Sequence, residues 1–172
     1  KKMAGKNKNS GKINKNDKGG DKTIAVNRRG RFSYEIEDSL EAGLVLTGTE
    51  VKSARQGNVQ IAESYARLEE GPQKTPEVWL HGMHIAPYEQ GGRFNAEPRR
   101  KRKLLLKREQ IDKLTGRVQQ KGYTLVPLKL YFTRGMAKLE LGIGKGRKTH
   151  DKRVAITERE TKRDMQRAMS ER

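Results

Sequence analysis

Apolar and polar side chains alternate along three stretches of the chain, residues 32–36, 128–132 and 139–143. Alternation with a period of two predicts β-strands that bury one face. The second and third stretches flank residues 133–136, a short connection that contains Gly135, and this arrangement predicts a β-hairpin. Further strands are expected at residues 44–47, 64–69 and 77–85.

Helical periodicity is confined to a few segments. Residues 108–121 carry three apolar side chains on one helical face, and Gly122 follows as a stop signal, so an α-helix is predicted there. A shorter helix is expected around residues 50–55, and residues 71–76 are predicted to form a turn between two strands. Pro127 has no amide hydrogen to donate, so its strand is expected to begin late or to lie at a sheet edge.

The aromatic residues locate the packed domain, because all nine of them lie between Phe32 and Phe132. Many short strands, few helices and one small core favour a mainly β fold with flanking helices. The expected architecture is a closed β-barrel like the oligonucleotide/oligosaccharide-binding (OB) fold, and we assign it to residues 23–147. Residues 1–22 are rich in lysine and contain no aromatic side chain, so they are predicted to form a disordered basic arm.

A polar tail covers residues 148–172. Its T-x-x-E pattern at residues 157–160 is a capping box and predicts a helix that starts near residue 158. The apolar side of this helix is thin, and isolated helices are marginally stable in water. We therefore expect the tail to be mostly disordered when free and helical when a charged surface captures it. The alternative is a helix that docks on its own barrel.

The chain is strongly basic, with 39 Lys and Arg residues against 21 Asp and Glu residues and a formal net charge of +18. Such a surplus favours an anionic partner, nucleic acid above all. A membrane partner is not expected, because the apolar runs are far shorter than a spanning helix requires. No apolar segment typical of a secretory signal follows the first lysines. Cysteine is absent, which excludes disulfides and thiolate metal sites and is typical of a cytoplasmic protein.

The densest cationic run lies between Arg93 and Arg108, where eight cationic residues accompany one acidic residue. A run of this density predicts contacts with backbone phosphates of a nucleic acid. Two alternatives stay open for this stretch. It is also compatible with a solvated loop, and a nuclear localisation signal has a similar composition.

Residues 142–149 nearly match the phosphate-binding loop of nucleotide hydrolases, with Gly142, Lys148 and Thr149 in place. Arg147 occupies the position of the second glycine, where a bulky side chain obstructs the wrapping of backbone around a phosphate. An NTPase that uses this loop is therefore only a minor alternative.

Two histidines, His81 and His84, raise the question of a metal site. Their odd spacing in a strand directs them to opposite faces, so no metal site is expected. The sequence also suggests no catalytic triad and no pair of catalytic carboxylates. We therefore expect neither an enzyme nor a cofactor.

Long motifs resemble one family, the small protein B family of SsrA-binding (tmRNA-binding) proteins of bacterial ribosome rescue. They are LEAGLVLTGTEVKSARQGNV (40–59), EVWLHGMHIAPYEQGGRFN (77–95), RKLLLKREQIDKL (102–114), KGYTLVPLKLYF (121–132) and GKGRKTHDKR (144–153). The resemblance extends in collinear order over about residues 24–165. It implies an OB-type barrel without catalytic activity that binds the tRNA-like domain of tmRNA as a monomer and takes the place of a tRNA anticodon arm. It also implies that the complex enters stalled ribosomes, where incomplete peptides are tagged for proteolysis.

The resemblance implies two sets of site residues. For tmRNA binding it implies Glu41, Lys103, Leu105 and Lys107. To these we add, on electrostatic grounds, the basic residues Arg28, Arg29, Lys52, Arg99 and Arg100. For the decoding centre of the small ribosomal subunit and the empty mRNA channel, the expected residues are Gly146, Lys148, His150, Asp151, Lys152, Arg153, Arg159, Lys162, Arg163 and Met169.

Glu41 is unusual in an RNA site, because a carboxylate repels phosphate. It is expected to accept hydrogen bonds from base or sugar groups. The alternative for Glu41 is a surface acid paired with a nearby arginine. A generic RNA-binding or ribosomal protein of OB type stays open as an alternative function.

Overall fold

The computed structural model describes residues 22–170, with side chains described throughout this range except at residues 149–155. The predicted disordered arm at residues 1–22 therefore lies outside the described residues, apart from Lys22. The strands are β1 Lys22–Val26, β2 Tyr34–Leu44, β3 Val59–Gln60, β4 Tyr65–Glu70, β5 Pro76–His81, β6 His84–Ile85, β7 Arg102–Leu105, β8 Tyr123–Thr133 and β9 Met136–Gly146. The helices are α1 Arg28–Ser33, α2 Gly48–Arg55, α3 Arg108–Val118 and α4 Thr149–Ser170, and a short 3₁₀ turn covers Gly92–Phe94.

Seven strands form one antiparallel sheet that closes on itself. Their order is β1–β8–β4–β5–β7–β2–β9, and β8 also pairs with β9. The strands from β8 round to β9 thus form a ring, while β1 is attached along the outside edge of β8. Closure leaves few backbone groups of the ring unpaired at an edge. The prediction of a mainly β fold with flanking helices is confirmed.

The core fills the ring with side chains from alternate positions of each strand. On β9, Leu139, Leu141 and Ile143 are buried, and the residues between them face outwards or are glycine. Helix α3 packs against β5 and β8 and buries Leu114 against the same cluster. Full burial of a leucine side chain stabilises the fold by roughly 2 kcal/mol.

The predicted hairpin is confirmed as the connection between β8 and β9. Arg134 and Gly135 both have positive φ angles, 48° and 78°. Two consecutive residues with positive φ give the tight turn whose twist matches that of the flanking strands. The hairpin joins two strands of 11 residues each, which form the longest ladder in the sheet.

Several boundaries differ from the predicted ones. Phe32 lies in α1 and not in a strand, because Asn27 caps that helix with its side chain. Residues 45–47 lie outside the strands, since Thr47 is already the N-cap of α2. The strand expected over residues 77–85 is interrupted at Gly82, which has a φ of +75°. The predicted turn at residues 71–76 and the short helix near residues 50–55 are present.

The interpretation of Pro127 as an edge or entry residue is wrong. Pro127 lies inside β8, which pairs with β1, β4 and β9. The ladder between β8 and β9 shifts register between Pro127 and Lys129. An irregularity of this kind accommodates a residue that cannot donate to the ladder.

The two longer helices also differ from their predicted extents. Helix α3 ends at Val118, about one turn earlier than expected. Helix α4 begins at Thr149, so the predicted capping box at residues 157–160 lies inside it. Asp151 falls in the first turn of α4, where an acidic residue favours a helix N-terminus. The dependence of this helix on a charged surface stays a prediction.

Candidate RNA-binding surfaces

A buried ion-pair network connects α2 to the start of β7. Glu50 is 5% exposed, and its carboxylate accepts hydrogen bonds from Arg102, whose side chain is fully buried, at 2.8 and 3.0 Å. Arg100 adds two further hydrogen bonds to the same carboxylate, at 2.9 and 2.6 Å. The remaining donors of Arg102 reach the carbonyl oxygens of Pro98, Arg100 and Met83. The guanidinium is therefore held from all sides.

Glu50 also completes the N-terminal cap of α2. The backbone amide of Thr47 donates to its Oε2 at 2.8 Å, and the amide of Glu50 donates to the Thr47 hydroxyl at 3.4 Å. Burial raises the pKa of Glu50, but the hydrogen bonds from Arg100 and Thr47 and the charge of Arg102 outweigh it and lower the pKa overall. Burial lowers the pKa of Arg102 and Glu50 opposes this, although a guanidinium stays protonated in proteins. The buried pair is therefore charged.

This network fixes the orientation of β7. Since successive residues of a strand point to opposite faces, anchoring Arg102 inwards turns Lys103 and Leu105 outwards. Leu104 joins the core on the inner face, whereas Leu105 is 54% exposed. Gly43 of β2 lies opposite Leu105, and the two predicted tmRNA-binding residues of β7 thus stand beside β2.

Glu41 lies on the outer face of β2, two residues before the one that pairs with Leu105. The Tyr131 hydroxyl donates a hydrogen bond to its carboxylate, and the Lys138 ammonium lies 3.1 Å from it. These two hydrogen bonds lower the pKa of Glu41, with partial burial acting weakly in the opposite direction. Glu41 is therefore ionised at neutral pH and is both an available acceptor and a member of a surface ion pair.

The outer positions of β2 and β7 together form what we call the β2–β7 face, made of Glu41, Lys103, Leu105 and their neighbour Lys138. Lys103 pairs with Glu77 of β5 at 2.6 Å. Lys107 is exposed at the N-terminal end of α3, two residues beyond Leu105. The structure thus places three of the residues that the family resemblance selects for tmRNA binding, Glu41, Lys103 and Leu105, on one face, and the fourth, Lys107, at the start of the helix that follows β7.

The five basic residues added on electrostatic grounds are not all on this face. The guanidinium of Arg100 is occupied by Glu50, so its role in the described structure is internal. Lys52 is exposed on α2, with its ammonium 5.4 Å from the centre of the Tyr88 ring. Arg99 is exposed beside His84.

Arg28 and Arg29 are exposed on α1, at the other end of the ring. Arg29 lines a cleft of about 620 Å³ together with Tyr34 and Gly146. Gly146 pairs with Tyr34 at the end of β9. Arg29 therefore lies with the residue predicted for the decoding centre, and not with Glu41.

The end of β9 forms a second basic surface. The backbone amide of Arg147 donates to the Ser33 carbonyl at 2.9 Å, which ties the chain to α1 where the strand ends. The Lys145 ammonium lies 4.4 Å from the centre of the Tyr123 ring, and Lys148 is exposed. Lys138 and Gly146 are eight residues apart on β9, so the two surfaces are roughly 27 Å apart along the strand.

Helix α4 continues from this second surface. His150, Asp151, Lys152 and Arg153 lie in its first turns, although their side chains are outside the described part. Arg159, Lys162, Arg163 and Met169 are exposed, Met169 to 81%. The Arg159 guanidinium lies 5.1 Å from the centre of the Phe32 ring, which is a contact between the helix and the body of the protein.

The alternative of a phosphate-binding loop at residues 142–149 is wrong. Residues 142–146 belong to β9 and pair with β2, so they do not form a loop around a phosphate. The His81 Nε2 donates to the Glu69 carboxylate at 2.6 Å and His81 lies on β5, whereas His84 lies on β6. Among the described residues, no group of three or more His, Asp or Glu side chains is placed to hold a metal ion. None of the described helices is long and apolar enough to cross a membrane.

Four residues of these surfaces and of the buried network are not among those predicted from the sequence: Glu50, Arg102, Tyr131 and Lys138. The pattern Thr47-x-x-Glu50 is a capping box and predicts the start of α2, so that part of the role of Glu50 was accessible. The pairing of Glu50 with Arg102 was not predictable, because the two residues are 52 positions apart in the sequence. No local signal predicts such a contact.

The closed ring, the cations on its outer side and the basic helix are typical of a small basic RNA-binding protein of mainly β structure. The family model of SmpB protein matches residues 24–171. The chain belongs to the SmpB protein family, and the resemblance stated from the sequence is confirmed.

Similar proteins cover most of the chain. The SsrA-binding protein of Desulfitobacterium hafniense (strain DSM 10664 / DCB-2) is 55% identical over 148 residues, which are 86% of this chain and 92% of that protein. The SsrA-binding protein of Alkaliphilus metalliredigens (strain QYMF) is 53% identical over 153 residues, 89% of this chain and 94% of that protein. A solved structure described as "tmRNA-SmpB: a journey to the center of the bacterial ribosome" contains a chain of 51% identity with a TM-score of 0.60, covering 73% of this chain and 85% of that one.

Proposed function

We propose that this protein binds the tRNA-like domain of tmRNA, delivers it to stalled ribosomes and stands in for the anticodon arm of a tRNA. The observation that carries the proposal is the presence of two separate surfaces towards opposite ends of β9. One is the β2–β7 face near Lys138, where cations stand beside Glu41 and Leu105, and the other is the basic surface around Gly146. The relatives named SsrA-binding protein, and the similar chain described with tmRNA and the bacterial ribosome, support it. The protein is a binding factor without a catalytic step. It acts in the cytoplasm as a monomer, without a cofactor.

The β2–β7 face has the chemistry of a site for folded RNA. Lys103 on this face and Lys107 at the start of α3 supply cations for phosphates, and the exposed Leu105 supplies apolar contact with a sugar or base. Glu41 is held ionised, so it accepts from base amino groups or ribose hydroxyls and rejects a phosphate at that position. Such a mixed site reads the shape of one RNA, whereas a purely cationic surface binds any RNA.

The second surface and α4 suit the ribosome. We assign residues 23–147 to the RNA-gripping body and residues 148–172 to a tail that enters the vacant mRNA channel. Cations on the helix match a channel that is lined by phosphates, and residues 156–170 of α4, the part whose side chains are described, are all exposed. A channel filled by message leaves no room for the helix, so the tail detects the absence of message.

The proposal is tested first by RNA binding. Gel shifts with labelled tmRNA, competed by tRNA over a series of salt concentrations, are expected to show preferential binding of tmRNA at every salt concentration. Affinity for both RNAs is expected to fall linearly on a logarithmic scale as salt rises. Equal affinity for the two RNAs would favour the alternative, a generic RNA-binding protein, and refute the proposal.

Two classes of variant separate the two surfaces. Glu41→Ala and Leu105→Asp are expected to weaken tmRNA binding by about tenfold or more, which corresponds to about 1.4 kcal/mol. Glu70→Ala removes an exposed acid from β4 and is the matched control, with unchanged binding. Deletion of residues 154–172 is expected to leave tmRNA binding intact while it abolishes peptide tagging on stalled ribosomes. If the deletion weakens tmRNA binding as much as Leu105→Asp does, the assignment of the two roles is wrong.

A further inference from the structure

The loop that leads from β6 to β7 presents an aromatic ring to solvent. Phe94 ends the short 3₁₀ turn and is 73% exposed, against 49% for Tyr65. A phenylalanine ring exposed to this extent leaves most of its apolar area in contact with water. An exposed ring in this position therefore calls for a partner that covers it.

The loop is held in place by its own polar groups. The Asn95 side chain accepts a hydrogen bond from the Tyr88 amide and donates one to the Tyr88 carbonyl, both at 2.9 Å. Gly91 packs so closely against Asn95 that an added Cβ would lie 2.5 Å from its Oδ1. On the other side, the Thr49 hydroxyl donates to the Phe94 carbonyl at 3.2 Å. The backbone that carries the ring is thus fixed from two directions.

One cation contacts this ring and a second lies against a neighbouring aromatic residue of the loop, an arrangement that suits the stacking of a nucleic-acid base. The Arg93 guanidinium lies 5.1 Å from the centre of the Phe94 ring, and the Lys52 ammonium lies against Tyr88 of the same loop. A base stacks on an aromatic face, and neighbouring cations balance the phosphates on either side of it. A paired base within a helix hides both of its faces, so the matching ligand is an unpaired base.

The ring lies near the β2–β7 face. The Val45 amide donates to the Lys103 carbonyl at 3.1 Å, which extends the pairing of β2 with β7 towards α2. Thr49, which contacts the Phe94 backbone, follows Gly43 by six residues. Gly43 is itself paired with Leu105. Six residues span at most about 22 Å, so one folded RNA can touch both places.

We propose that Phe94, backed by Arg93, is a stacking platform for one unpaired base of the RNA bound at the β2–β7 face. The inference rests on the proposed function, because it adds a contact to the same RNA. It assigns to the loop the recognition of a single-stranded element, while Glu41, Lys103 and Leu105 contact a folded one.

The test compares substitutions that separate stacking from apolar contact. Phe94→Ala and Phe94→Leu are expected to weaken tmRNA binding by about tenfold, and Phe94→Trp to retain it, because loss of one base–aromatic stack has an effect of this size. The salt dependence of binding is expected to keep its slope, since no charge is removed. Tyr65→Ala removes an aromatic ring that is 49% exposed on β4 and serves as the matched control. Thermal unfolding of all variants shows whether the fold is intact, and Phe94 is exposed enough for its midpoint to stay unchanged.

Each outcome decides the matter. If wild-type protein prefers tmRNA and Phe94→Ala binds equally well, the stacking inference is wrong and the proposed function is untouched. If Phe94→Leu binds like the wild type while Phe94→Ala does not, the contact is apolar packing and the inference is again wrong. If the wild type shows no preference for tmRNA, the proposed function fails, and the inference fails with it.

Discussion

Removing the charge of Glu50 tests how the buried network supports the fold. The variant Glu50→Gln keeps the size of the side chain and one acceptor oxygen, but it leaves the fully buried Arg102 without a counter-charge. Loss of one partner of a buried ion pair destabilises proteins by about 3–5 kcal/mol. Arg102 retains three carbonyl acceptors, and Arg100 is 28% exposed and can turn to water, so we expect a loss of about 3 kcal/mol, the low end of the range. That is a large share of the roughly 5–15 kcal/mol by which domains are stable.

The measurement is urea unfolding at pH 7. Unfolding is followed by the fluorescence of Trp79, the single tryptophan of the chain, which lies on β5, one of the strands of the ring. Glu69→Gln is the matched control. Glu69 also contacts basic side chains, Arg67, His81 and Lys101, but on the outer surface, where an ion pair contributes at most about 1 kcal/mol. If the two variants lose the same free energy of unfolding, the buried network does not stabilise the fold as we argue.

The same pair predicts a pH dependence. The pKa of Glu50 in the folded state lies below the ordinary value of 4.5 for a glutamate, so ionised Glu50 contributes stability that is fully present above about pH 4.5. This contribution is lost as the pH falls through the folded-state pKa. The difference in unfolding free energy between wild type and Glu50→Gln is therefore expected to be largest at neutral pH and to shrink below pH 4.5. A difference that stays constant down to pH 3 would contradict the charged state of the pair.

Further predictions concern single positions. Gly144→Ala is expected to lose about 3 kcal/mol of unfolding free energy or more in urea, because an added Cβ would lie 2.1 Å from a carbonyl oxygen of β2. Gly146→Ala, on the same strand with no atom within 4 Å, is expected to stay within about 0.5 kcal/mol of the wild type. Thr47→Ala is expected to lose about 1 kcal/mol through the capping box of α2, by the same assay. An NMR titration of Glu41 is expected to show a midpoint below 4.5, and Tyr131→Phe is expected to raise it.

Much of the fold is predictable from local sequence patterns. The β8–β9 hairpin was predictable because Gly135 and two alternating runs lie within 16 residues of each other, and the turn needs only the residues in it. The start of α4 was misplaced because a capping box at residues 157–160 competes with an earlier polar start at Thr149, and the sequence does not rank the two. Pro127 was misjudged because the register shift that accommodates it depends on β9, the partner strand.

The candidate site was predictable only in part, and for a different reason. Glu41, Lys103 and Leu105 follow from the family motifs, and the structure explains their proximity through the pairing of Gly43 with Leu105. The five basic residues predicted on electrostatic grounds do not all lie on the β2–β7 face. A basic residue in a basic run is not always free to bind RNA. Arg100 illustrates this, because its guanidinium pairs with Glu50, an acid that is far away in the sequence.

The buried pair explains how a short strand can support RNA recognition. β7 has only four residues, which are Arg102, Lys103, Leu104 and Leu105. A strand of this length is not held by many ladder hydrogen bonds. A shift of its register by one residue would turn Leu105 inwards and Leu104 outwards. Arg102 prevents that shift, because its guanidinium meets its counter-charge, Glu50, only in the interior. Burial of the Glu50–Arg102 pair therefore has a cost in desolvation. The pair fixes the register that places Lys103 and Leu105 beside Glu41.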